Sequence, residues 1–511
     1  MVHDRQTPTN HEDVARFVRT HATRFVATSA ALLVPCFWHG HLEAGDLGSH
    51  LYNAWLAQLI ERGQAPGLWI ARQWNNVLFD WLLGGFGSLF GLHAAERIAV
   101  GLAVLIFFWG AFALVCAVAR KALWFLAPVV AALAYSWTFE MGFFNYYLSL
   151  GFAFFGIALL WRGRGWQRWA ALLFAPLAYV AHPLGLLWFI AAAIYITTAE
   201  MISRSPNASL RRVASLRVAL FAAAAGALVA LHFYLANHYM MDPPDDPYWM
   251  FNGSDQLLLF GPRYRIAAAA FLLFVLAVLV SLAIDLARER ASASGVWAKI
   301  GLPLELYALV AIGVVTLPGG IHLPQYPAAI ALLTQRLTSV SAVLICCVLG
   351  SVRARRWHAV AAWAVALIFF GMLFHDTARI SRMETKVEQL VRTLPRDSRV
   401  MATIATFPDS RVVIQHIVDR ACIGRCFSYG NYEPASEQFR MRASFGNRLV
   451  MTNDRDTAAM EEGWYEVRTE DLPAWEIYQC GPDATDLCVR GLEAGEEVDR
   501  LGVHPESRDE P

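Results

Sequence analysis

The densest group of residues able to do chemistry lies in the stretch WHGHLEAGDLGSHLYNAW, residues 38–55, which follows the first long apolar run. It contains three histidines and two carboxylates, of which Glu43, Asp46 and His50 are the strongest candidates. If a helix covers residues 47–60, Asp46 occupies its N-cap and His50 lies one turn further along the same face. Such a pair can act as a general base or hold a divalent cation near a phosphate. Alternatively, Asp46 only caps the helix and the histidines line a polar loop.

A second candidate group lies in FEMGFFNYY, residues 139–147, between two short apolar runs. Ionisable residues at such positions tend to face a cavity. We predict a catalytic role for Glu140 and a substrate-binding role for Asn145, although Glu140 could simply mark a solvated turn. His182 breaks the apolar stretch 168–199, and it is either a substrate ligand or a buried, hydrogen-bonded histidine.

A third group lies in GGIHLPQYPAAIALLTQRLTSV, residues 319–340, which contains His322, Tyr326 and Arg336. An arginine partly inside an apolar run is costly unless it meets an anion. A lipid phosphate or pyrophosphate matches the guanidinium group well. We therefore predict that these three residues bind substrate. The alternative for Arg336 is that its side chain reaches up to the membrane surface.

The elements that must position these residues are membrane helices. Of the 511 residues, 57% are hydrophobic and 16% charged, far from the usual balance of a soluble protein. This composition excludes a disordered chain and a charge-driven nucleic-acid-binding protein. We predict about 11 transmembrane helices. The runs are residues 24–39, 97–118, 123–138, 145–161, 168–181, 184–199, 214–236, 265–286, 300–317, 327–350 and 358–375.

Lys and Arg residues predict the orientation of these helices, because such residues accumulate on the cytoplasmic side. Arg16, Arg19 and Arg24 precede the first run, and alternate connections are also basic. The N-terminus, residues 1–23, is therefore expected in the cytoplasm, with the first outer loop at 40–96 and the C-terminus outside. Residues 77–91 are apolar but contain Asp80 and four glycines, so they form either a twelfth span or a re-entrant or interfacial segment. The apolar stripe on residues 51–60 is expected to lie in the membrane interface.

The region 376–511 has a different composition, with 17 Lys and Arg against 25 Asp and Glu, a net charge of −8. Short apolar runs between turn residues predict a small extracytoplasmic α/β domain, joined to the membrane by a helix at 379–394. Its cysteines favour two local disulfides, Cys422–Cys426 and Cys480–Cys488, although four cysteines allow three pairings. A four-cysteine zinc site is a less suitable alternative, since the spacings are unusual.

The first loop, GDLGSHLYNAW followed by FGLHAAERIAV, resembles the GT-C superfamily of polytopic glycosyltransferases that use polyprenyl-phosphate sugars. The run MGFFNYYLSLGFAFFGIALLWRGR, followed by AHPLGLLWFI, resembles uncharacterised bacterial multi-span proteins near that class. The similarity covers roughly residues 20–200.

The resemblance implies an all-α polytopic membrane fold over residues 24–375, a bacterial inner-membrane location and sugar transfer on the extracytoplasmic face. It implies that Asp46, with Glu43 as second choice, is the catalytic or metal-linked acid, that Glu140 is a further acid, and that Arg336 binds the lipid phosphate. A Mg²⁺ or Mn²⁺ ion is a possible cofactor, although the paired acids often found in the class are missing. The donor would be a polyprenyl-phosphate sugar, and the acceptor an unknown glycan, lipid or protein.

Two other functions fit a polytopic membrane protein. A transporter or flippase of lipid-linked substrates predicts inverted repeats and polar residues at mid-membrane, neither of which is visible in the sequence. A non-enzymatic assembly protein would use the C-terminal domain to bind a partner.

Overall fold

The structure is a computed structural model. It describes residues 11–498 except 164, 205–208, 245–249, 290–291, 405–406, 408, 415, 445, 482 and 484. The chain up to residue 393 is mostly helical, as predicted. Its helices are α1 His11–Leu33, α2 Leu47–Glu61, α3 Leu78–Phe90, α4 Leu92–Ala119, α5 Ala127–Ala134, α6 Trp137–Glu140, α7 Phe144–Arg162, α8 Trp166–Ala170, α9 Phe174–Ala181, α10 Pro183–Ser203, α11 Leu210–His238, α12 Arg265–Arg288, α13 Ala293–Thr316, α14 Leu333–Leu349 and α15 Arg356–Thr393.

Among the described residues, seven helices are long and apolar enough to cross a membrane, judged by length and composition. They are α4, α7, α10, α11, α12, α13 and α15. The chain therefore has the character of a membrane protein, but the prediction of 11 full-length spans is not confirmed.

The remaining predicted spans are short or broken helices, and the breaks have local causes. The predicted span 123–138 is divided because Ser136 adopts an extended conformation between α5 and α6. The predicted span 168–181 ends at His182, which is extended because it precedes Pro183. The predicted span 24–39 leaves the α-helix at Leu33, and the span 327–350 begins only at Leu333.

The segment 77–91 forms the 13-residue helix α3, which ends at Gly91 in a positive-φ conformation. At 1.5 Å per residue, such a helix is roughly 20 Å long, whereas the hydrocarbon core is about 30 Å thick. Helix α3 is therefore too short to be a twelfth full span. It packs against α2 and α4.

The last membrane run and the predicted connecting helix 379–394 are one continuous helix, α15. No glycine or proline stands between residues 372 and 393, so nothing in the sequence interrupts the hydrogen-bond ladder. The helix ends at Leu394, immediately before Pro395.

The C-terminal part is a small α/β unit, as predicted. The helices of this unit are α16 Ile417–Cys422, α17 Tyr432–Ser436 and α18 Asp454–Glu461. The eight strands of the described chain are β1 Leu68–Ile70, β2 Met240–Asp242, β3 Gly320–His322, β4 Arg399–Thr403, β5 Phe427–Ser428, β6 Met441–Ala443, β7 Ala474–Gln479 and β8 Leu487–Gly491. Four of them form the sheet of the C-terminal unit in the order β5-β4-β7-β8, in which β4 is parallel to β5 and β7, and β8 is antiparallel to β7.

The C-terminal unit is joined closely to the first loop. Strand β6 pairs with β1 of that loop in an antiparallel register. The backbone N–H of Ser428 donates a hydrogen bond of 2.9 Å to the Tyr52 hydroxyl oxygen on α2. The two C-terminal cysteine pairs are both local: Cys422 is bonded to Cys426, and Cys480 to Cys488.

Helix α2 is covered by protein, which corrects the expectation that its apolar stripe lies in the membrane interface. Leu51 and Leu56 are buried in the core, and the ring of Trp55 lies 6.0 Å from that of Phe427 on β5. Helix α16 packs directly on α2. The stripe therefore anchors the C-terminal unit.

Candidate functional site

Asp46 is at the start of α2, as predicted, but its side chain does not cap the helix. The Asp46 carboxylate accepts no hydrogen bond from the described backbone N–H groups of the helix, and the side chain is 20% exposed. The Asp46 N–H is bonded to the carbonyl oxygen of Met141 at 3.1 Å. Gly142 permits this contact, because it has φ +78° and a Cβ there would lie 2.5 Å from the Asp46 nitrogen. The carboxylate of Asp46 is thus available for chemistry.

His416 from the C-terminal unit lies beside Asp46. Its Nε2 is 3.6 Å from Oδ1 of Asp46, and its Nδ1 is 3.0 Å from Oδ2 of Asp419 on α16. Asp419 also accepts a hydrogen bond from the Ser428 hydroxyl. Gly48 makes room for this approach, since a Cβ there would lie 2.1 Å from the carbonyl oxygen of His416. An imidazole is thus held between two carboxylates.

The charge on His416 follows from its two neighbours. Burial lowers the pKa of this imidazole, but the hydrogen bond and charge of Asp419, together with the charge of Asp46, raise it to about 9. His416 is therefore cationic at neutral pH. Burial raises the pKa of Asp46, while the charges of His416, His50 and Arg336 act in the opposite direction.

Arg336 on α14 brings a second cation to the same place. Its guanidinium lies 4.2 Å from the centre of the Phe143 ring, and its Nε is buried without a hydrogen-bond partner. Within the described part of the chain, this guanidinium forms no salt bridge, yet its charge acts on Asp46. An arginine placed in this way can receive an anion.

His50 and Asn145 meet through Asp80 on α3. Nδ1 of His50 is 3.1 Å from Oδ1 of Asp80, and Nδ2 of Asn145 donates to Oδ2 of Asp80 at 3.1 Å. Glu433 on α17 completes this group. Each of the three residues, His50, Asp80 and Glu433, offers one possible metal-binding atom, and these three atoms lie within 4.8 Å of one another. Burial raises the pKa of Glu433 to about 8, and the charge of Asp80 adds to the effect. Asp46, which was predicted to be the metal-linked acid, does not belong to this three-residue group. The residues that could bind a cation are therefore His50, Asp80 and Glu433.

Glu43 lies in a separate buried ion cluster. The guanidinium of Arg420 on α16 is 3.5 Å from Glu43, 3.2 Å from Glu96 and 3.2 Å from Glu384. Burial raises the pKa of Glu43 to about 7, although Arg420 acts against the rise. Glu43 was the second choice for the catalytic or metal-linked acid, and the structure places it where it joins the first loop to the C-terminal unit.

Glu140 is almost completely buried, at 1% exposure, and its Oε2 has no hydrogen-bond partner among the residues that the structure describes. Burial raises the pKa of Glu140 well above its usual range, and the charge of Glu43 adds to the rise. No described side-chain contact joins Glu140 to Asp46, so the structure does not bring these two predicted catalytic acids together.

The other predicted substrate-binding residues have different environments. His182 caps α10, with its Nδ1 accepting from the Leu184 N–H at 3.2 Å. Its ring lies 5.5 Å from that of Tyr146. His322 is on strand β3, which pairs with β2, and its Nε2 is 3.1 Å from Asp242 on that strand. Tyr326 follows in the next loop, and no described contact joins His322 or Tyr326 to the residues around Asp46.

The sequence-based prediction missed His416, Asp419 and Glu433, and it noted Asp80 without assigning it a function. One signal was available for two of them: His416 and Asp419 are three residues apart, the spacing of neighbours on one helical face. Glu433 has no comparable signal, because only the folded chain brings it to His50.

Comparison with protein-family models, with curated proteins and with solved structures found no match of any of the three kinds. The resemblance to polytopic glycosyltransferases remains a prediction, and any functional assignment depends on the geometry of this site.

Proposed function

We propose that this protein is a membrane glycosyltransferase that moves a sugar from a polyprenyl-phosphate donor to an acceptor on the extracytoplasmic face. The observation that carries the proposal is that the Asp46 carboxylate, which does not cap the helix, feels the charge of Arg336, a guanidinium without a salt bridge among the described residues. A base and an anion-binding cation are the two groups that such a transfer needs most.

The reaction assigns one role to each group. An acceptor hydroxyl or amine attacks the anomeric carbon of the sugar and gives its proton to the Asp46 carboxylate. The bond between that carbon and the phosphate oxygen breaks, and its electron pair leaves with the polyprenyl phosphate. Arg336 stabilises the charge that develops on this phosphate. His416, held by Asp419, orients Asp46 and keeps it ionised before the acceptor binds.

The proposed membrane side follows from the sequence pattern and the position of the site. The basic connections favour a cytoplasmic N-terminus and therefore an extracytoplasmic C-terminal unit. The site lies where the first loop meets this unit, since Asp46 belongs to the loop and His416 to the unit. Two disulfides in the C-terminal unit agree with an oxidising compartment such as the bacterial periplasm.

An assay with the full-length protein in nanodiscs would test this function. The donors would be polyprenyl-phosphate hexoses and pentoses with a radioactive sugar, and a membrane extract would supply the acceptor. We expect release of polyprenyl phosphate together with transfer of label. Asp46→Asn should abolish both, whereas Asp242→Asn at the exposed end of strand β2 should retain them. Equal turnover by wild type and Asp46→Asn would refute the base assignment, and no turnover of any donor by wild type would refute the proposed function.

A further inference from the structure

We infer that His50, Asp80 and Glu433 form a binding site for a divalent transition-metal ion, Zn²⁺ or Mn²⁺, next to Asp46. The site itself is independent of the activity proposed above. Only the role of the ion, which would lie beside the phosphate of the donor, rests on that proposed function.

The first line of evidence is convergence. The three residues come from α2, α3 and α17, and so from parts of the chain up to about 380 residues apart. One ligand atom from each lies within 4.8 Å of the other two. All three residues are buried, with exposures of 6%, 5% and 2% for His50, Asp80 and Glu433. Two ligand atoms of one divalent ion are at most roughly 4.4 Å apart, because each lies about 2.0–2.2 Å from the metal, so only a small movement of these side chains would let one ion bind all three.

The second line of evidence is the Glu433 carboxylate. Within the described residues it forms neither a hydrogen bond nor a salt bridge, although its backbone N–H is bonded to Asn431. A buried carboxylate without a partner is costly, and a second carboxylate, Asp80, lies beside it. The charges of His50 and Arg440 act on both carboxylates, yet within the described residues neither of them forms a salt bridge with Glu433. A divalent cation among the three side chains would give the Glu433 carboxylate a direct partner.

The third line of evidence is that Asp80 is held in a fixed orientation. Its Oδ2 accepts from Nδ2 of Asn145, whose Oδ1 in turn accepts from the Phe79 N–H at 2.7 Å. The same Nδ2 also donates to the carbonyl oxygen of Asn76 at 3.1 Å. Metal-binding carboxylates commonly have such supporting hydrogen bonds, which fix the orientation of the second oxygen, here the Oδ1 that lies 3.1 Å from Nδ1 of His50.

The donor set distinguishes between metals. One imidazole nitrogen and two carboxylate oxygens suit Zn²⁺ or Mn²⁺ better than Mg²⁺ or Ca²⁺, which prefer oxygen ligands alone. Three protein ligands leave a position open for water or a phosphate oxygen, as in catalytic zinc sites. Asp46 is outside the group and stays available as a base, in contrast to the prediction that it would be the metal ligand.

The alternative is a hydrogen-bonded His50–Asp80 pair beside a protonated Glu433, with no metal. Metal analysis of the purified full-length protein separates the two. The protein would be freed of metal with a chelator, incubated with Zn²⁺ or Mn²⁺, desalted, and measured by mass spectrometry and thermal unfolding. We expect about one ion per chain and a higher melting temperature with the ion present.

Two variants give the inference its sharpest test. Glu433→Gln, which keeps the shape of the side chain, and His50→Gln should each bind the ion at least 10-fold more weakly and lose the thermal shift. Glu461→Gln, a change near His416 and outside the three-residue group, should bind one ion like wild type. A wild-type protein that retains no ion, or a Glu433→Gln variant that retains one with unchanged affinity, would overturn the inference. Because metal content is measured without substrate, this result is independent of whether sugar transfer is found.

Discussion

Nε2 of His416 lies 3.6 Å from Oδ1 of Asp46, although the two residues are 370 positions apart in the chain. Asp46 belongs to the loop after the first helix, and His416 to the C-terminal unit. Their contact makes the site a product of both parts of the molecule. The unit is therefore a component of the site rather than a separate appendage.

Asp46→Asn and Asp46→Ala should each reduce transfer at least 100-fold, while stability hardly changes. Replacing an N-cap residue by alanine normally costs about 1 kcal/mol, but the side chain of Asp46 makes no capping bond, so Asp46→Ala should not show this loss. Turnover and thermal unfolding of the same preparation would measure both effects. A fall in melting temperature like that of a lost cap would contradict the geometry described for Asp46.

Arg336→Ala should weaken donor binding and slow transfer, because it removes the guanidinium proposed to bind the donor phosphate. No other described arginine side chain stacks on Phe143 near Asp46 to take its place. Arg336→Lys keeps the charge but not the planar, bidentate geometry, so we expect partial activity. Steady-state kinetics with varied donor concentration would report kcat and KM for each variant. Wild-type kinetics for the alanine variant would rule out phosphate binding at this position.

His416 should make the stability of the protein depend on pH. Its pKa rises from about 6.5 in the unfolded chain to about 9 in the fold, where it faces Asp46, Asp419 and Glu461. The stabilisation is fully present below pH 6.5 and is lost as the pH rises through 9. This change in the free energy of unfolding amounts to roughly 1–3 kcal/mol across that pH range, and His416→Gln should remove it. Melting temperatures across that range would show it, and a retained slope in the variant would contradict the assignment.

Arg420→Met should destabilise the protein strongly, by about 3–5 kcal/mol, because three buried carboxylates lose their shared cation. Glu43→Gln should be nearly neutral or stabilising, since the pKa of Glu43 is already raised to about 7. Arg468→Ala removes an exposed ion pair with Asp456 and serves as a control expected to cost less than about 1 kcal/mol. Thermal unfolding of the three variants in one detergent would compare them, and equal losses for both arginine variants would contradict the importance of the buried cluster.

Peptide mapping without reduction should find Cys422 linked to Cys426 and Cys480 linked to Cys488. Cys36, Cys116, Cys346 and Cys347 should be recovered as free thiols. The same protein made without export to an oxidising compartment should lack both links. Links that persist there would contradict the extracytoplasmic location proposed for the unit.

Much of the local structure was predictable from the sequence, because local interactions specify it. The start of α2 at residue 47, the break of the helix before Pro183 and the α/β character of the C-terminal unit all follow from nearby residues. The predicted number of 11 spans is not confirmed, since apolar composition alone does not distinguish a continuous helix from the short helices of residues 123–138 and 168–181.

By itself, the sequence determined the membrane character, the candidate loop around Asp46 and the positions where helices must begin or end. Each depends on composition, periodicity or a dihedral preference within a few residues. Only the tertiary structure decided which side chains meet: Asp46 with His416, His50 with Asp80 and Glu433, and Glu43 with Arg420. These contacts join distant segments through packing and charge balance, which no local pattern in the chain encodes.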